Sequence, residues 1–315
     1  MSRTGKPSRV KVYVQAARLR TLPLASASVL TAGALVFETM RQPAAVVQAG
    51  AQAGAAPLLP LAAALLTVWL LQIMANFAND LGDAEHGADD HRADRTVASG
   101  AIDKRHMKLA VVTLAVLALI SGLATIWLAG ASWLWALVGV GAMLGAYRYT
   151  AGDNPYGYAG WGDAAVVLFF GLLGVVGIAA LVTSEFHATW LLPAWTLGAF
   201  ATAVLNLNNL RDHTTDAVAG KRTLIVQHGF RWGVRYHGAL LASGWLALGA
   251  MFLTMPGTWR GAPWYLLMVA VHFQHYQRVR KCKSADAATL DSELGRVALS
   301  TTVVALFLFL SQFNP

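Results

Sequence analysis

Residues 58–83 read LLPLAAALLTVWLLQIMANFANDLGD, and residues 191–216 read LLPAWTLGAFATAVLNLNNLRDHTTD. Each stretch begins with an apolar run of the length that crosses a bilayer, about 20 residues, and each ends in asparagine and aspartate. The carboxyl end of a helix favours positive charge, so acids at these two ends are unfavourable unless a cation stabilises them. The two stretches therefore predict membrane helices that bring acidic side chains to a cation.

Two acidic clusters can be defined. The first cluster comprises Asn76, Asn79, Asp80 and Asp83, and the second cluster comprises Asn209, Asp212 and Asp216. Within each cluster, steps of three and four residues place the carboxylates and an asparagine on one helix face. Carboxylates packed this closely repel one another unless a cation lies between them, and hard oxygen ligands favour Mg²⁺, which commonly binds through one or two carboxylates plus substrate phosphates. The clusters therefore predict two half-sites that hold a diphosphate through Mg²⁺.

The composition is that of a membrane protein. Hydrophobic residues make up 56% of the chain, charged residues only 13%, and the mean hydropathy is +0.50; a soluble domain has about 25% charged residues. We predict an all-α, polytopic membrane bundle in which residues 1–17 are a polar, basic tail and residues 18–315 form a single transmembrane domain. Nine membrane helices are predicted at residues 22–40, 58–79, 107–129, 131–148, 163–183, 189–210, 234–254, 263–280 and 296–312.

A faint internal repeat divides the predicted domain. Asn79 and Asn209 lie 130 residues apart, and each is followed by paired acids and then by a basic residue and a threonine. We interpret this as two quasi-repeated halves, followed by a last helix. Each half would bring one acidic helix end to a shared cavity.

The distribution of basic residues predicts the orientation. All 24 lysine and arginine residues except Arg41 and Arg260 fall in segments that lie inside if the amino terminus is inside, as the positive-inside rule requires. We therefore expect a multi-pass protein of the inner or plasma membrane, with the amino terminus and both clusters cytoplasmic and the carboxyl terminus outside. The net charge of +8 is then topological, and nucleic-acid binding is not expected because no extramembrane domain is large enough to dock a duplex.

Basic residues near the clusters are candidates for contacts with substrate. Lys221 and Arg222, together with Arg95, are predicted to bond diphosphate oxygens, with anchoring to lipid headgroups as the alternative. Arg18 and Arg20 precede the first membrane helix, and the same two interpretations apply to them. Arg20 is retained as a candidate contact for the acceptor.

Residues 149–163, which we call the aromatic loop, join the fourth and fifth predicted helices. Its aromatic residues suit either the membrane interface or a substrate contact, and Tyr149 is retained as a candidate for the second role. Asp163 opens the next helix, where an acid suits the helix amino end, so it is either a structural cap or a residue that contacts the acceptor or acts as a base. His272 and His275 are interpreted as interfacial residues rather than metal ligands.

These motifs resemble those of the UbiA-type membrane prenyltransferase superfamily, whose members carry an Asn-Asp-x-x-Asp first motif and an Asp-x-x-x-Asp second motif. The resemblance covers about residues 18–312 and is strongest toward the branch that prenylates 1,4-dihydroxy-2-naphthoate. The matching stretches are Asn79-Asp80-Leu-Gly-Asp83 with Gly87, Asp89 and Arg95-Thr-Val-Ala-Ser-Gly100, the aromatic loop with Phe169-Phe170-Gly171, and Asn208-Asn209-Leu-Arg-Asp212 through Gly220-Lys-Arg-Thr223. Where many members have a third acid this chain has Gly87, with Asp89 two residues later.

The resemblance implies an Mg²⁺-dependent transfer of a polyprenyl group from an allylic diphosphate to 1,4-dihydroxy-2-naphthoate with loss of carbon dioxide, giving demethylmenaquinone and diphosphate. Its implied partners are these two substrates and the lipid bilayer. The implied metal ligands are Asp80, Asp83, Asp212 and Asp216, with Asp89 as a further candidate, and the implied diphosphate contacts are Asn76, Asn79, Arg95, Asn209, Lys221 and Arg222. Two alternatives stay open: another aromatic acceptor, 4-hydroxybenzoate or homogentisate, and a transporter of cations or organic anions, which favours acids near mid-membrane on broken helices.

Overall fold

Long apolar runs in this chain become long helices. The computed structural model describes residues 8–41, 57–86, 96–255 and 262–313, and within these ranges the regular structure is entirely helical. The helices are α1 Arg9–Ala17, α2 Leu22–Met40, α3 Leu58–Glu85, α4 Lys104–Leu128, α5 Trp135–Arg148, α6 Gly162–Thr183, α7 Leu191–Val218, α8 Leu224–His228, α9 Phe230–Thr254, α10 Ala262–Lys281 and α11 Asp291–Leu310.

The predicted all-α, multi-pass membrane architecture is confirmed, but the count of nine crossings is not. A helix occupies each of the nine predicted segments. Over the described ranges, seven helical spans are long and apolar enough to cross a membrane. Two of the nine predicted segments are not among these seven spans. They are α5, which has only 14 residues, and α10, whose last turn contains three basic residues.

The second half of the segment predicted as a tail is helix α1. Ser8 caps it by accepting a hydrogen bond from the Lys11 N–H at 3.4 Å, and Val12 and neighbouring alanines are buried against α3. Arg18 ends the helix with φ 46° and ψ 54°, a left-handed conformation that is costly for a residue with a Cβ. This turn sends the chain into α2 and leaves the Arg18 guanidinium beside Asp80.

The last helix closes the bundle against the first membrane helix. α11 packs on α2 and α7, and the rings of Phe37 and Phe309 lie 5.8 Å apart. Gly33 makes the approach possible, because a Cβ at that position would lie 2.8 Å from the Phe309 ring. The helix that follows the two predicted halves is therefore an integral wall of the bundle.

Glycines bring α6 close to its neighbours. Val167–Gly177 form a π-helical segment within α6, a type of distortion that is frequent at functional sites. A Cβ at Gly171 would lie 2.5 Å from the Ala194 carbonyl oxygen of α7, and one at Gly174 would lie 2.8 Å from Ser28 of α2. Small residues at these contacts let the helix backbones approach, as is usual in membrane bundles.

Buried histidines join the last three long helices. The interfacial interpretation of His272 and His275 is wrong, because both are at most 2% exposed inside the bundle. Both ring nitrogens of His275 have partners there: His275 lies 2.7 Å from His237 on α9 and 2.6 Å from Glu293 on α11. The groups bonded to the Glu293 carboxylate are His275, Arg278 and Arg296.

Candidate active site

The helices that carry the acidic clusters continue past their predicted ends. α3 extends to Glu85 and α7 extends to Val218, so the carboxylates lie within the last turns rather than after them. Asp80 and Asp83 are 2% and 4% exposed, and Asp216 is 9% exposed. Buried carboxylates need paired charges or hydrogen bonds, and each cluster has them.

The turn between α1 and α2 is bound to the first cluster. Arg18 forms an ion pair with Asp80, and Thr96 donates a hydrogen bond to the other oxygen of Asp80 at 2.8 Å. The Asn76 side chain donates to the Ala17 carbonyl oxygen at 2.9 Å. The amide of Asn76 and the carboxylate of Asp80 therefore hold the chain that enters the first membrane helix.

The aromatic loop covers the first cluster. Thr150 donates a hydrogen bond to the Asn79 side chain at 2.7 Å, and the Tyr158 hydroxyl donates to Asp83 at 2.6 Å. The backbone of the loop lies directly on α3, since a Cβ at Gly82 would lie 2.4 Å from the Thr150 carbonyl oxygen. The glycine between the two acids is what allows this contact.

An arginine adjacent to the second cluster connects it to the last helix. Arg211 forms a bidentate pair with Asp212, at 2.7 and 2.6 Å, and also donates to Asn208 at 2.7 Å. Its remaining terminal nitrogen donates to Asp291 of α11 at 2.5 Å, and Arg20 reaches the other oxygen of Asp291 at 3.3 Å. The last helix thus contributes an acid to the site.

Lys221 is the point where the two clusters meet. Its Nζ donates to Asp83 of the first cluster at 3.0 Å and lies 3.7 Å from Asp216 of the second. The same ammonium lies 4.7 Å from the centre of the Tyr158 ring, within the range of a cation–π contact. Carboxylates that are 133 positions apart in the chain therefore share one cation.

Tyr149 and Tyr156 of the aromatic loop are neutral at physiological pH. Burial raises the pKa of Tyr149 above its ordinary value, and the negative charges of Asp163, Asp83 and Asp216 raise it further. Burial raises the pKa of Tyr156 to about 12. Because these phenols keep their protons, they serve as hydrogen-bonding groups and aromatic surfaces rather than as bases.

A cavity of about 520 Å³ opens beside the clusters. Much of its lining is apolar and comes from the membrane helices, with Leu71, Leu119, Trp135, Phe169 and Phe170 among the larger side chains. Its polar lining includes Arg18, Arg20, Asn76, Asn79, Tyr149, Asn208 and Asp291. A cavity with one polar wall and a long apolar remainder suits a ligand with a polar head and a hydrocarbon chain.

The sequence-predicted site residues fall into two groups within the described ranges. Arg20, Asn76, Asn79 and Tyr149 line the cavity itself. The carboxylates of the two clusters are not part of this lining, although Asp80 binds the lining residue Arg18. The other predicted residues outside the lining are Asp83, Asp163, Asn209, Asp212, Asp216, Lys221 and Arg222.

Arg222, Asp163 and Asn209 differ in exposure and in hydrogen-bond partners. The Arg222 side chain is exposed, while its backbone N–H donates to the Tyr158 carbonyl oxygen at 2.8 Å. Asp163 is half-buried and hydrogen-bonded to Tyr236 of α9, and Asn209 is buried on α7. The predicted residues Asp89 and Arg95 lie outside the described residues.

Several residues of the site were not predicted from the sequence. Thr96, Tyr158, Arg211 and Asp291 each contact a cluster or a partner of a cluster. The position of Arg211 next to Asp212 was an available signal, since adjacent opposite charges at a helix end can pair. The sequence offered no comparable signal for Asp291, because its partner Arg211 lies 80 positions earlier.

A protein-family model covers the part of the chain that carries both acidic clusters. The model of the UbiA prenyltransferase family matches residues 42–311, which is most of the chain and includes both clusters. The chain belongs to the UbiA prenyltransferase family. The predicted family resemblance is therefore confirmed.

Two relatives are similar over most of their length. The chain is 38% identical over 270 residues to a 1,4-dihydroxy-2-naphthoate octaprenyltransferase of Haemophilus influenzae, covering 84% of the chain and 83% of the relative. It is 34% identical over 319 residues to the Escherichia coli protein of the same name, covering 97% of each. A solved UbiA homolog from Archaeoglobus fulgidus, bound to GPP and Mg²⁺, matches the fold with a TM-score of 0.60 at 15% identity and covers 94% of this chain and 99% of that one.

Proposed function

We propose that this prenyltransferase transfers a polyprenyl group from an allylic diphosphate to 1,4-dihydroxy-2-naphthoate, with loss of the carboxylate as carbon dioxide. The observation that carries the proposal is the meeting of carboxylates from both clusters at Lys221, beside an apolar cavity. Opposed acidic groups with a basic side chain between them suit a diphosphate held through metal, and the cavity suits its hydrocarbon chain. The acceptor is proposed from the names of the two relatives.

The donor set suits Mg²⁺ in its chemistry. Asp80 with Asp83, and Asp212 with Asp216, offer hard oxygen ligands in pairs, and Asp89 is a further candidate. Among the residues that the structure describes, no three His, Cys, Asp or Glu side chains are close enough to hold a metal by themselves. That agrees with an ion that takes one or two carboxylates and completes its shell with substrate phosphates. When bound, Mg²⁺ neutralises the charge that develops on the leaving diphosphate.

The basic and amide side chains have the complementary task of binding the diphosphate. Lys221 is within reach of both clusters, so its ammonium can bond a phosphate oxygen held between them. Arg222 and Arg95 are proposed to bond the outer oxygens of the diphosphate. Asn76, Asn79 and Asn209 orient the carboxylates and the diphosphate.

The apolar cavity holds the prenyl chain and keeps water from the allylic carbon. As the carbon–oxygen bond to diphosphate breaks, positive charge develops on this carbon, and the neutral rings of Tyr149 and Tyr156 line the cavity as faces that can stabilise it. The excluded water would otherwise capture the cation and give an alcohol. Exclusion of water is one way in which a buried site prevents side reactions.

The reaction balances without an oxidant. The naphthoate carbon that bears the carboxylate forms a bond to the allylic carbon, diphosphate departs with the electrons of the broken carbon–oxygen bond, and carbon dioxide leaves its bonding electrons to the ring. The direct product is therefore the hydroquinone form of demethylmenaquinone. Arg20 and Asp163 are retained as candidate contacts for the acceptor.

The acceptor assay tests the proposal directly. Purified protein in lipid is given a labelled polyprenyl diphosphate with 1,4-dihydroxy-2-naphthoate, 4-hydroxybenzoate or homogentisate in parallel. We expect a prenylated product and one carbon dioxide per turnover with the naphthoate, and loss of product when EDTA removes divalent ions. Product from another acceptor alone would replace the naphthoate assignment. A chelator-insensitive reaction would refute the role of the metal.

The orientation is proposed on the charge distribution. The amino terminus and both clusters face the cytoplasm, because the basic residues flank the same ends of the helices as the clusters do. The charged diphosphate group of the donor is then bound from the cytoplasmic side. The transport alternative loses its basis, since the chain belongs to a prenyltransferase family and its acids lie at helix ends rather than at mid-helix.

A further inference from the structure

Each of the four acids proposed as metal ligands is paired with a basic side chain. The pairs are Asp80 with Arg18, Asp83 with Lys221, Asp212 with Arg211, and Asp216 with Lys221. The side chains of Lys221, Asp83 and Asp216 are only 16%, 5% and 12% exposed. Charges this far from water are screened weakly, so the pairing governs what else can bind.

We propose that Lys221 is a resting counter-ion that occupies the cation position between the clusters and gives it up only when metal and diphosphate arrive together. This inference rests on the proposed function and deepens it. It assigns Lys221 two positions: one on Asp83 and Asp216 in the free protein, and one on the diphosphate in the complex. The consequence is that the enzyme binds its divalent ion weakly until the diphosphate is present.

Repulsion between cations explains why a divalent ion should bind weakly in the absence of diphosphate. A divalent ion that enters beside Asp83 without substrate meets an ammonium 3.0 Å from the same carboxylate. Displacing that ammonium leaves a poorly solvated charge without its partner, which is costly. A diphosphate removes the cost, because its oxygens offer the ammonium new charge-assisted hydrogen bonds.

The local structure allows the side chain to move while the backbone stays. The Lys221 N–H donates to the Asp216 carbonyl oxygen at 2.9 Å, and the next N–H, of Arg222, donates to Tyr158 at 2.8 Å. These bonds fix the main chain to α7 and to the aromatic loop. A lysine has a flexible four-carbon stem and a point charge, and the Tyr158 ring offers that charge a second favourable surface along its path.

The test measures metal binding rather than turnover. Mn²⁺ is titrated into the purified full-length protein in lipid, and free Mn²⁺ is followed by its electron paramagnetic resonance signal, with and without inorganic diphosphate, each after subtraction of the same titration without protein. For the wild type we expect diphosphate to tighten Mn²⁺ binding at least about tenfold. For Lys221→Met without diphosphate we expect Mn²⁺ to bind at least about tenfold more tightly than to the wild type.

Arg231→Met is the matched control, since it removes one positive charge from an exposed side chain on α9 that has no part in the proposed metal or diphosphate contacts. Without diphosphate it should bind Mn²⁺ as the wild type does. Equal affinity of Lys221→Met and wild type, with both folded, would overturn the inference while leaving the proposed function intact. Wild-type protein that binds Mn²⁺ equally tightly with and without diphosphate would overturn it even if the variant fails to fold, and no Mn²⁺ binding under any condition would overturn both.

Discussion

Gly82→Ala tests whether the contact between α3 and the aromatic loop sets the geometry of the site. The added Cβ would lie 2.4 Å from the carbonyl oxygen and 2.6 Å from the carbonyl carbon of Thr150. Ordinary contact begins at 3.4 Å, so the backbone of the loop has to retreat. Both atoms belong to backbone, so no side-chain rotation relieves the clash.

The size of the effect follows from two opposing terms. Overpacking a buried contact costs about 1–3 kcal/mol, and replacing a helical glycine by alanine returns about 0.5–1 kcal/mol. We expect a net loss of stability of about 1 kcal/mol, the difference between the midpoints of these two ranges. Turnover should fall about a hundredfold, because a displacement of about 1 Å in an active site can reduce the rate by that factor. The displaced loop carries the Tyr158 hydroxyl that binds Asp83.

The measurements are turnover with polyprenyl diphosphate and 1,4-dihydroxy-2-naphthoate, and thermal unfolding in the same lipid. Gly249→Ala is the matched control, because it makes the same change within α9 where an added methyl group meets open space. That variant should keep its activity, and its Tm should rise slightly, because alanine in a helix is about 0.5–1 kcal/mol more stable than glycine. Gly82→Ala with the activity and Tm of this control would refute the argument that the close approach positions the loop.

Four further outcomes are expected. Asp80→Asn should lower turnover at least about a hundredfold, as loss of a key charge stabiliser does; near-normal activity in a folded variant would count against a metal role. Tyr158→Phe removes a hydrogen bond to the Asp83 carboxylate, worth about 1.5–3 kcal/mol of stability, so the Tm should fall and kcat/KM should decrease about tenfold or more; wild-type values of both would count against this contact. Glu293→Gln removes the negative charge that pairs α11 with His275 and Arg278 of α10, so the Tm should fall while turnover at low temperature is retained. An unchanged Tm would contradict a stabilising role for these ion pairs. Cys282, the only cysteine, should react with a membrane-impermeant maleimide in inside-out vesicles and not in intact cells; the reverse would invert the proposed orientation.

The position of the helices could be predicted because hydropathy is local. A run such as residues 58–79 is apolar whatever it packs against, and every predicted segment contains a helix. The number of membrane crossings could not be predicted as well, because α5 is short and the last turn of α10 is basic. Residues 9–17 read as polar in the sequence, but one face of the helix they form is buried on α3.

The acidic clusters could be recognised in the sequence because helical spacing is also a local property. Helical spacing alone places Asp80 and Asp83 on one face, and the family motif includes them. Their cations were less accessible to sequence reasoning, because the Arg18 pair spans 62 positions and the Lys221–Asp83 pair spans 138. Nothing in a linear sequence states which of many basic residues reaches which acid.

The sequence by itself determined a membrane-embedded helical protein, its two acidic helix ends and its family. These follow from composition, periodicity and motif, which act over a few turns of helix. Only the tertiary structure decided that the clusters share Lys221, that the aromatic loop rests on Gly82 and that Asp291 of the last helix enters the site. The reason is that such contacts depend on how helices pack and where loops cross, and buried charges accept whichever partner the packing brings within reach.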